Sequence, residues 1–165
     1  MKSGVASVEA VDGVDLTPEM LEVARERGAH RRLVEADVAA TGLDDEAYDL
    51  VVTSLVDEHL ADLRALYAEA YRLAKPGASY VLVGYHPHFI MATGMPTHYE
   101  SGSGESVAIE THLHLLSEHT DAALRTGWEL AELKERVIDD VWVELKPKWE
   151  PLRHQPVAFA FVWRR

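Results

Sequence analysis

Apolar positions recur along this chain at two spacings, and the alternation between them predicts its elements. Val11, Val14 and Leu16 form a short apolar run, with Gly13 allowing close backbone packing, and the run turns straight into a helix. Thr17 suits the helix cap, Pro18 its first turn and Glu19 the positive end of its dipole. Gly28 is placed to close that helix, and His30–Asp37 reads as a second short strand ending in an acid. Ala47–Leu55 is the third strand. Asp57–Lys75 then carries Leu60, Leu63, Leu66, Tyr67, Ala70, Tyr71 and Ala74 at helical spacing, with Asp57 as its expected cap. Lys75-Pro76-Gly77 stops the helix, and Ser79–Tyr85 follows as a buried strand. His86–Leu115 is less regular, with two prolines, three glycines and five of the nine histidines, although Val107–Leu115 alternates enough for an edge strand. Ser117 is the expected cap of a helix that closes at Gly127. Trp128–Ile138 and Pro156–Trp163 are the last two strands, a hairpin-like pair that predicts an antiparallel end to the sheet.

Strands alternating with helices of this length imply right-handed crossovers and an α/β fold around a mainly parallel, twisted sheet with helices on both faces. At 165 residues the simplest organisation is a single domain, 1–165, with enough chain for a core. Composition narrows the partners. A formal net charge of −12 repels phosphate backbones and argues against nucleic acid. No run is apolar enough to cross a membrane, and the opening MKSGVASVEA lacks the apolar centre of a signal peptide. Cysteine is absent, which excludes disulfides and thiolate metal sites and is the expectation for a cytoplasmic chain.

The chemistry starts at Asp15. It stands at the carboxyl end of a strand, the edge at which open α/β sheets bind ligands, and an ionised carboxylate there accepts the hydrogen bonds of vicinal ribose hydroxyls. VDGVDLTPEMLEVA resembles the second conserved motif of class I S-adenosylmethionine-dependent methyltransferases of the small-molecule type 11 sort. EAD at Glu35–Asp37, YDLVVTSLV at Tyr48–Val56, LAKPGASYVLVGYHP at Leu73–Pro87 and PVAFAFVWR at Pro156–Arg164 match further motifs in order. The resemblance implies S-adenosyl-L-methionine as cofactor, a small-molecule methyl acceptor, a Rossmann-like sheet and an antiparallel C-terminal strand. It implies that Asp15 and Leu16 meet the ribose, that Asp37 accepts from the adenine amine, and that the Val38 N–H meets a ring nitrogen. Ser54 and Leu55 would flank the methionine part. Asp37 equally suits a turn, and Ser54 and Leu55 a strand-to-helix connection.

The resemblance also predicts an earlier strand and a GxGxG turn before Val11, and neither stands in these 165 residues; the only GxG, Gly102-Ser103-Gly104, lies in a polar stretch. Without that strand, two apolar sheet edges are expected to pair with a second copy or a complementing chain. Methyl transfer from a sulfonium needs alignment and a dry pocket rather than a nucleophilic triad. His86, directly after a strand, and His59 are the candidate proton acceptors, and His88, Tyr99 and His114 the candidate acceptor-pocket residues. His86/His88 and His112/His114 stand two apart, on one face if they lie in strands, yet no HExxH or comparable motif accompanies them, and no metal is expected.

Overall fold

Two short parallel strands and one helix make up the first part of the chain. A computed structural model describes residues 8–94, 97–100 and 106–165, with side chains described for 8–94 and 110–165. Its contacts separate into two units, one up to Leu43 and one from Asp44. In the first, β1 (Asp12–Asp15) pairs in parallel with β2 (Arg32–Glu35), with Gly13 opposite Leu33 and Asp15 opposite Glu35. The helix α1 (Pro18–Arg27) joins them, with Pro18 in its first turn and Gly28 closing it in the left-handed conformation at φ 64°. Thr17 holds the cap position without a side-chain cap bond; the Asp15 carboxylate takes the Thr17 N–H instead. Val11 and Leu16, expected inside, are exposed, and of α1 only Leu21 is buried.

The second unit carries a four-stranded sheet. β3 (Tyr48–Ser54) pairs in parallel with β4 (Ala74–Tyr85) through α2 (Leu63–Leu73), the right length of crossover for that pairing. The apolar stripe buries Leu63, Leu66, Tyr67 and Ala70, as its spacing predicts, and Leu73 is buried beside them. Its start differs from expectation. Asp57–His59 form a separate 3₁₀ turn, and Asp62, not Asp57, caps α2 by accepting the Arg64 N–H at 2.9 Å. After β4 come α3 (Pro87–Thr93), the antiparallel pair β5 (Thr97–Glu100) and β6 (Ser106–Ile109), and α4 (Leu116–Thr126). The expected edge strand over Val107–Leu115 is thus confined to β6. Ser117 lies inside α4, whose first turn is closed by Glu118 accepting the Leu115 N–H at 2.7 Å. β7 (Glu129–Val137), α5 (Asp140–Leu145), a 3₁₀ segment at Pro147–Leu152 and β8 (Pro156–Arg164) complete the chain.

The strand order is β3-β4-β8-β7, with β8 antiparallel to both neighbours, so the C-terminal strand runs as the sequence predicts. Alternate residues of β8 point into the core, where Phe161 stacks on Trp163 at 4.9 Å and Tyr67 meets Trp163 edge-on at 5.9 Å. Trp128 is buried with its indole N–H on the Tyr67 carbonyl at 3.1 Å. These aromatic side chains, with Leu66 and Leu82, are buried at the centre of the core, while Ile138 packs in a second cluster with Phe89, Val143 and Val157. Among the described residues no helix is long and apolar enough to cross a membrane.

Candidate functional site

β1 and β2 run parallel in register, so Asp15 and Asp37 leave the sheet at the same, carboxyl, edge of the first unit. The two acids are held alike. Asp15 Oδ1 accepts the Thr17 N–H at 2.8 Å, and Asp37 Oδ1 accepts the Ala39 N–H at 2.8 Å. Each bond runs two residues forward, which closes a turn and pins the carboxylate with one oxygen used. A carboxylate so held still accepts further hydrogen bonds, which suits the hydroxyls and amine of a nucleoside. Leu16 beside Asp15 is exposed, and Val38 after Asp37 is half-buried in the turn. A third acid, Asp12, has a buried side chain and takes a two-point bond from the Arg31 guanidinium at 3.0 and 2.6 Å, which ties the start of β1 to the start of β2. A cavity of about 240 Å³ opens beside Asp15, lined among others by Met20, Val23, His30 and Leu33.

In the second unit Ser54 and Leu55 end β3, and His86 ends β4, at the carboxyl edge of that parallel pair. Leu55 sits at φ 56°, a left-handed conformation unusual for a leucine, and its N–H bonds the Val83 carbonyl at 2.8 Å. Strain of this kind concentrates where the chain must present backbone or side chain to a ligand. His86 caps α3, its Nδ1 accepting the His88 N–H at 3.0 Å while Nε2 lies 2.8 Å from Glu135 Oε1. The Nδ1 bond fixes the tautomer, so Nε2–H donates to Glu135 and both ring nitrogens are engaged. His88 is in α3 and bonds Gln155 at 3.1 Å, so His86 and His88 do not share a strand face. His112 and His114 lie outside any strand; His114 Nε2 donates to the Leu60 carbonyl at 2.6 Å. Among the described residues no group of three or more His, Asp or Glu side chains is arranged to hold a metal. Tyr99, and Gly102-Ser103-Gly104, lie outside the residues whose side chains are described.

The cluster that sequence reasoning missed lies behind this edge. Asp57, Glu58 and His119 are all buried. His119 Nδ1 is 3.1 Å from the Tyr67 hydroxyl, and its Nε2 is 3.4 Å from Asp57 Oδ2 without the alignment of a hydrogen bond. Burial, reinforced by the adjacent Asp57 carboxylate, pushes the Glu58 carboxyl up to about 7. Burial also raises the Tyr67 hydroxyl, which stays protonated. His59 is half-buried, with Nε2 4.0 Å from Glu58 Oε1. The run Asp57-Glu58-His59, polar immediately after a strand, was the available signal, but its pattern is equally that of a solvated turn. His119 sits in a stripe of helical spacing and gave none.

A family model described as a methyltransferase domain matches residues 3–82. A curated relative, the malonyl-[acyl-carrier protein] O-methyltransferase of Serratia marcescens, is 42% identical over 67 residues, which cover 41% of this chain and 26% of that protein. The chain therefore spans little more than a quarter of the relative's length. Among solved structures, an S-adenosylmethionine-dependent methyltransferase from Mesorhizobium loti has a TM-score of 0.72 at 21% identity, over 96% of this chain and 82% of that one. One from Listeria monocytogenes, described as a putative S-adenosylmethionine-dependent methyltransferase, has a TM-score of 0.75 at 15% identity, over 96% and 81%. At such identities the likeness is one of fold.

Proposed function

Because residues 3–82 match a family model described as a methyltransferase domain, we propose that this chain serves S-adenosylmethionine-dependent methyl transfer to a small-molecule acceptor. The observation that carries this reading is the matched pair Asp15 and Asp37, at the carboxyl ends of adjacent parallel strands, each pinned by a backbone N–H two residues on. That donor and acceptor set fits a nucleoside cofactor. Asp15 would accept from the ribose hydroxyls, with Leu16 beside it, and Asp37 and the Val38 N–H would read the adenine edge. When bound, S-adenosylmethionine supplies a methyl group activated by the positive charge on its sulfur. The residues of the chain have only to orient the acceptor and exclude water.

Ser54 and Leu55 belong to the same proposal, the strained Leu55 backbone being the support. His59, His86, His88, Tyr99 and His114 are proposed on the acceptor side. His59 is the better-placed proton acceptor of the first two, since the His86 ring is already bonded at both nitrogens. The Serratia marcescens relative is named as acting on a malonyl carrier protein, so an oxygen acceptor of that type is the first substrate to try. Residues 1–165 as one domain, working in the cytoplasm, complete this reading.

A second reading has its own observation. β3 is an edge of its sheet, and Leu50 and Val52 on it are 50% and 56% exposed. That is the surface of a strand meant to be covered, and it favours a binding or scaffold domain that needs a partner chain to complete a cofactor site. Calorimetric titration with S-adenosylhomocysteine separates the two. Saturable heat is expected, and Asp15→Ala should weaken binding by about 1.5–3 kcal/mol, the scale of a hydrogen bond to a charged group. Absence of heat at millimolar ligand from folded protein supports the second reading, and unchanged affinity in Asp15→Ala removes this carboxylate from the site.

A further inference from the structure

At the far edge of the four-stranded sheet, β7 is paired on one side only, with β8. All nine of its residues, Glu129–Val137, are exposed, Leu130, Leu133 and Val137 among them. A long exposed edge offers unpaired N–H and C=O groups to another strand, and natural proteins guard such edges with charge. The sequence ELAELKERV carries that charge, so the question is whether the charges prevent pairing or direct it.

Geometry restricts the answer. When a strand pairs antiparallel with its own copy about a two-fold axis normal to the sheet, opposed side chains lie on one face. Side chains alternate between faces, so the axis passes through a residue, and that residue opposes itself. The regular run of β7 against β8 is Glu132–Arg136, with register shifts on either side of it. A centre at Glu132, Lys134, Glu135 or Arg136 sets a charged residue against its own copy. Leu133 is the one uncharged position in the run. A centre there sets Leu133 against Leu133 and Glu132 against Lys134 on both sides, with Leu130 opposite Arg136. Within one chain Lys134 Nζ already lies 2.9 Å from Glu132 Oε1, so the two charges share a face and both reach it.

We propose that β7 is a self-association edge, through which two copies of this chain pair antiparallel about Leu133 into a continuous eight-stranded sheet, the Glu132 and Lys134 charges selecting that register. Cross-strand apolar and unlike-charge pairs of this kind stabilise a sheet, while like charges directly opposed destabilise it. The inference rests on β7 alone and is independent of the methyl-transfer reading.

Sedimentation equilibrium on the full chain tests it together with cross-linking. The chain is expected to dimerise at about 100 μM or below, the concentration at which a modest interface populates its complex. Lys134→Glu sets two like-charge pairs in the interface and should weaken the dimer by about tenfold or more. The double swap Glu132→Lys with Lys134→Glu restores both unlike pairs and should restore the dimer. Because the chain has no cysteine, Leu133→Cys places a single thiol opposite itself, at a Cα separation that a disulfide spans. Mild oxidation should then yield a covalent dimer, faster than from Leu124→Cys, a more exposed position on α4. A folded chain that stays monomeric, a dimer indifferent to Lys134→Glu, a swap that fails to restore it, or equal cross-linking of the two cysteines overturns the proposal.

Discussion

Gly84 and Asp57 show how single residues set this structure. A methyl group added at Gly84 would lie 2.7 Å from Asp57 Oδ1 and 2.8 Å from Phe159 Cζ, closer than atoms pack. The buried acid therefore rests on a strand position that must have no side chain. Gly84→Ala should destabilise the protein by about 1–3 kcal/mol through overpacking, seen as a lower midpoint in thermal unfolding followed by circular dichroism. Unchanged stability would mean that Asp57 moves aside without cost. At the same scale, Asp15 and Asp37 were legible in the sequence because each directly follows an apolar run and precedes a turn signal. The environment of Asp57 and Glu58 was not, since an acid after a strand usually faces water, and here segments distant in sequence cover them, His119 of α4 lying 3.4 Å from Asp57 and His112 donating its N–H to the Glu58 carbonyl.

At the scale of elements, β3 is the informative strand. Its sequence, YDLVVTS, is apolar enough for a buried central strand, and it pairs with β4 in the register such a strand would have. Yet it is an edge, and Leu50 and Val52 face out. Exposed apolar edges promote aggregation, and a lysine is a common natural guard. Val52→Lys should raise the concentration at which light scattering sets in, while leaving the thermal midpoint within a few degrees of the parent, because an exposed substitution costs little. A collapse of the folded state would show that Val52 is covered after all. The helix α2 was legible from its apolar spacing, its end to within two residues, whereas its start, expected at Asp57 and found at Leu63, and its cap were not. Asp57 and Asp62 both suit the pattern, and burial of the first leaves the second to take the Arg64 N–H.

For the molecule as a whole, the balance of charge is set by 28 acids against 16 bases, and three of those acids, Asp57, Glu58 and Glu69, are inside. Burial holds the Glu58 carboxyl at about 7, against 4.5 for the unperturbed group, so between those values the folded protein keeps a proton that the unfolded chain has released. Its contribution to stability is therefore complete below pH 4.5 and is lost as the pH rises through 7, with Asp57, His59 and His119 the titratable neighbours. Glu58→Gln removes this dependence. Its thermal midpoint should exceed that of the parent by several degrees at pH 8, the gain shrinking towards pH 4.5, where both side chains are neutral. Equal midpoints across that range would show that Glu58 titrates as an exposed acid. The sequence by itself determined the α/β class, the alternation of β1, α1, β2, β3, α2 and β4, the helix α4, the closing pair β7 and β8 with its antiparallel last strand, and the two strand-end acids. Each of these follows from local periodicity and turn chemistry, which act between near neighbours. Only the tertiary structure decided that Glu58 and His119 are enclosed, that both nitrogens of His86 are engaged, and that β7 is an edge. Those outcomes depend on which distant segments cover a residue, and no local pattern carries that information.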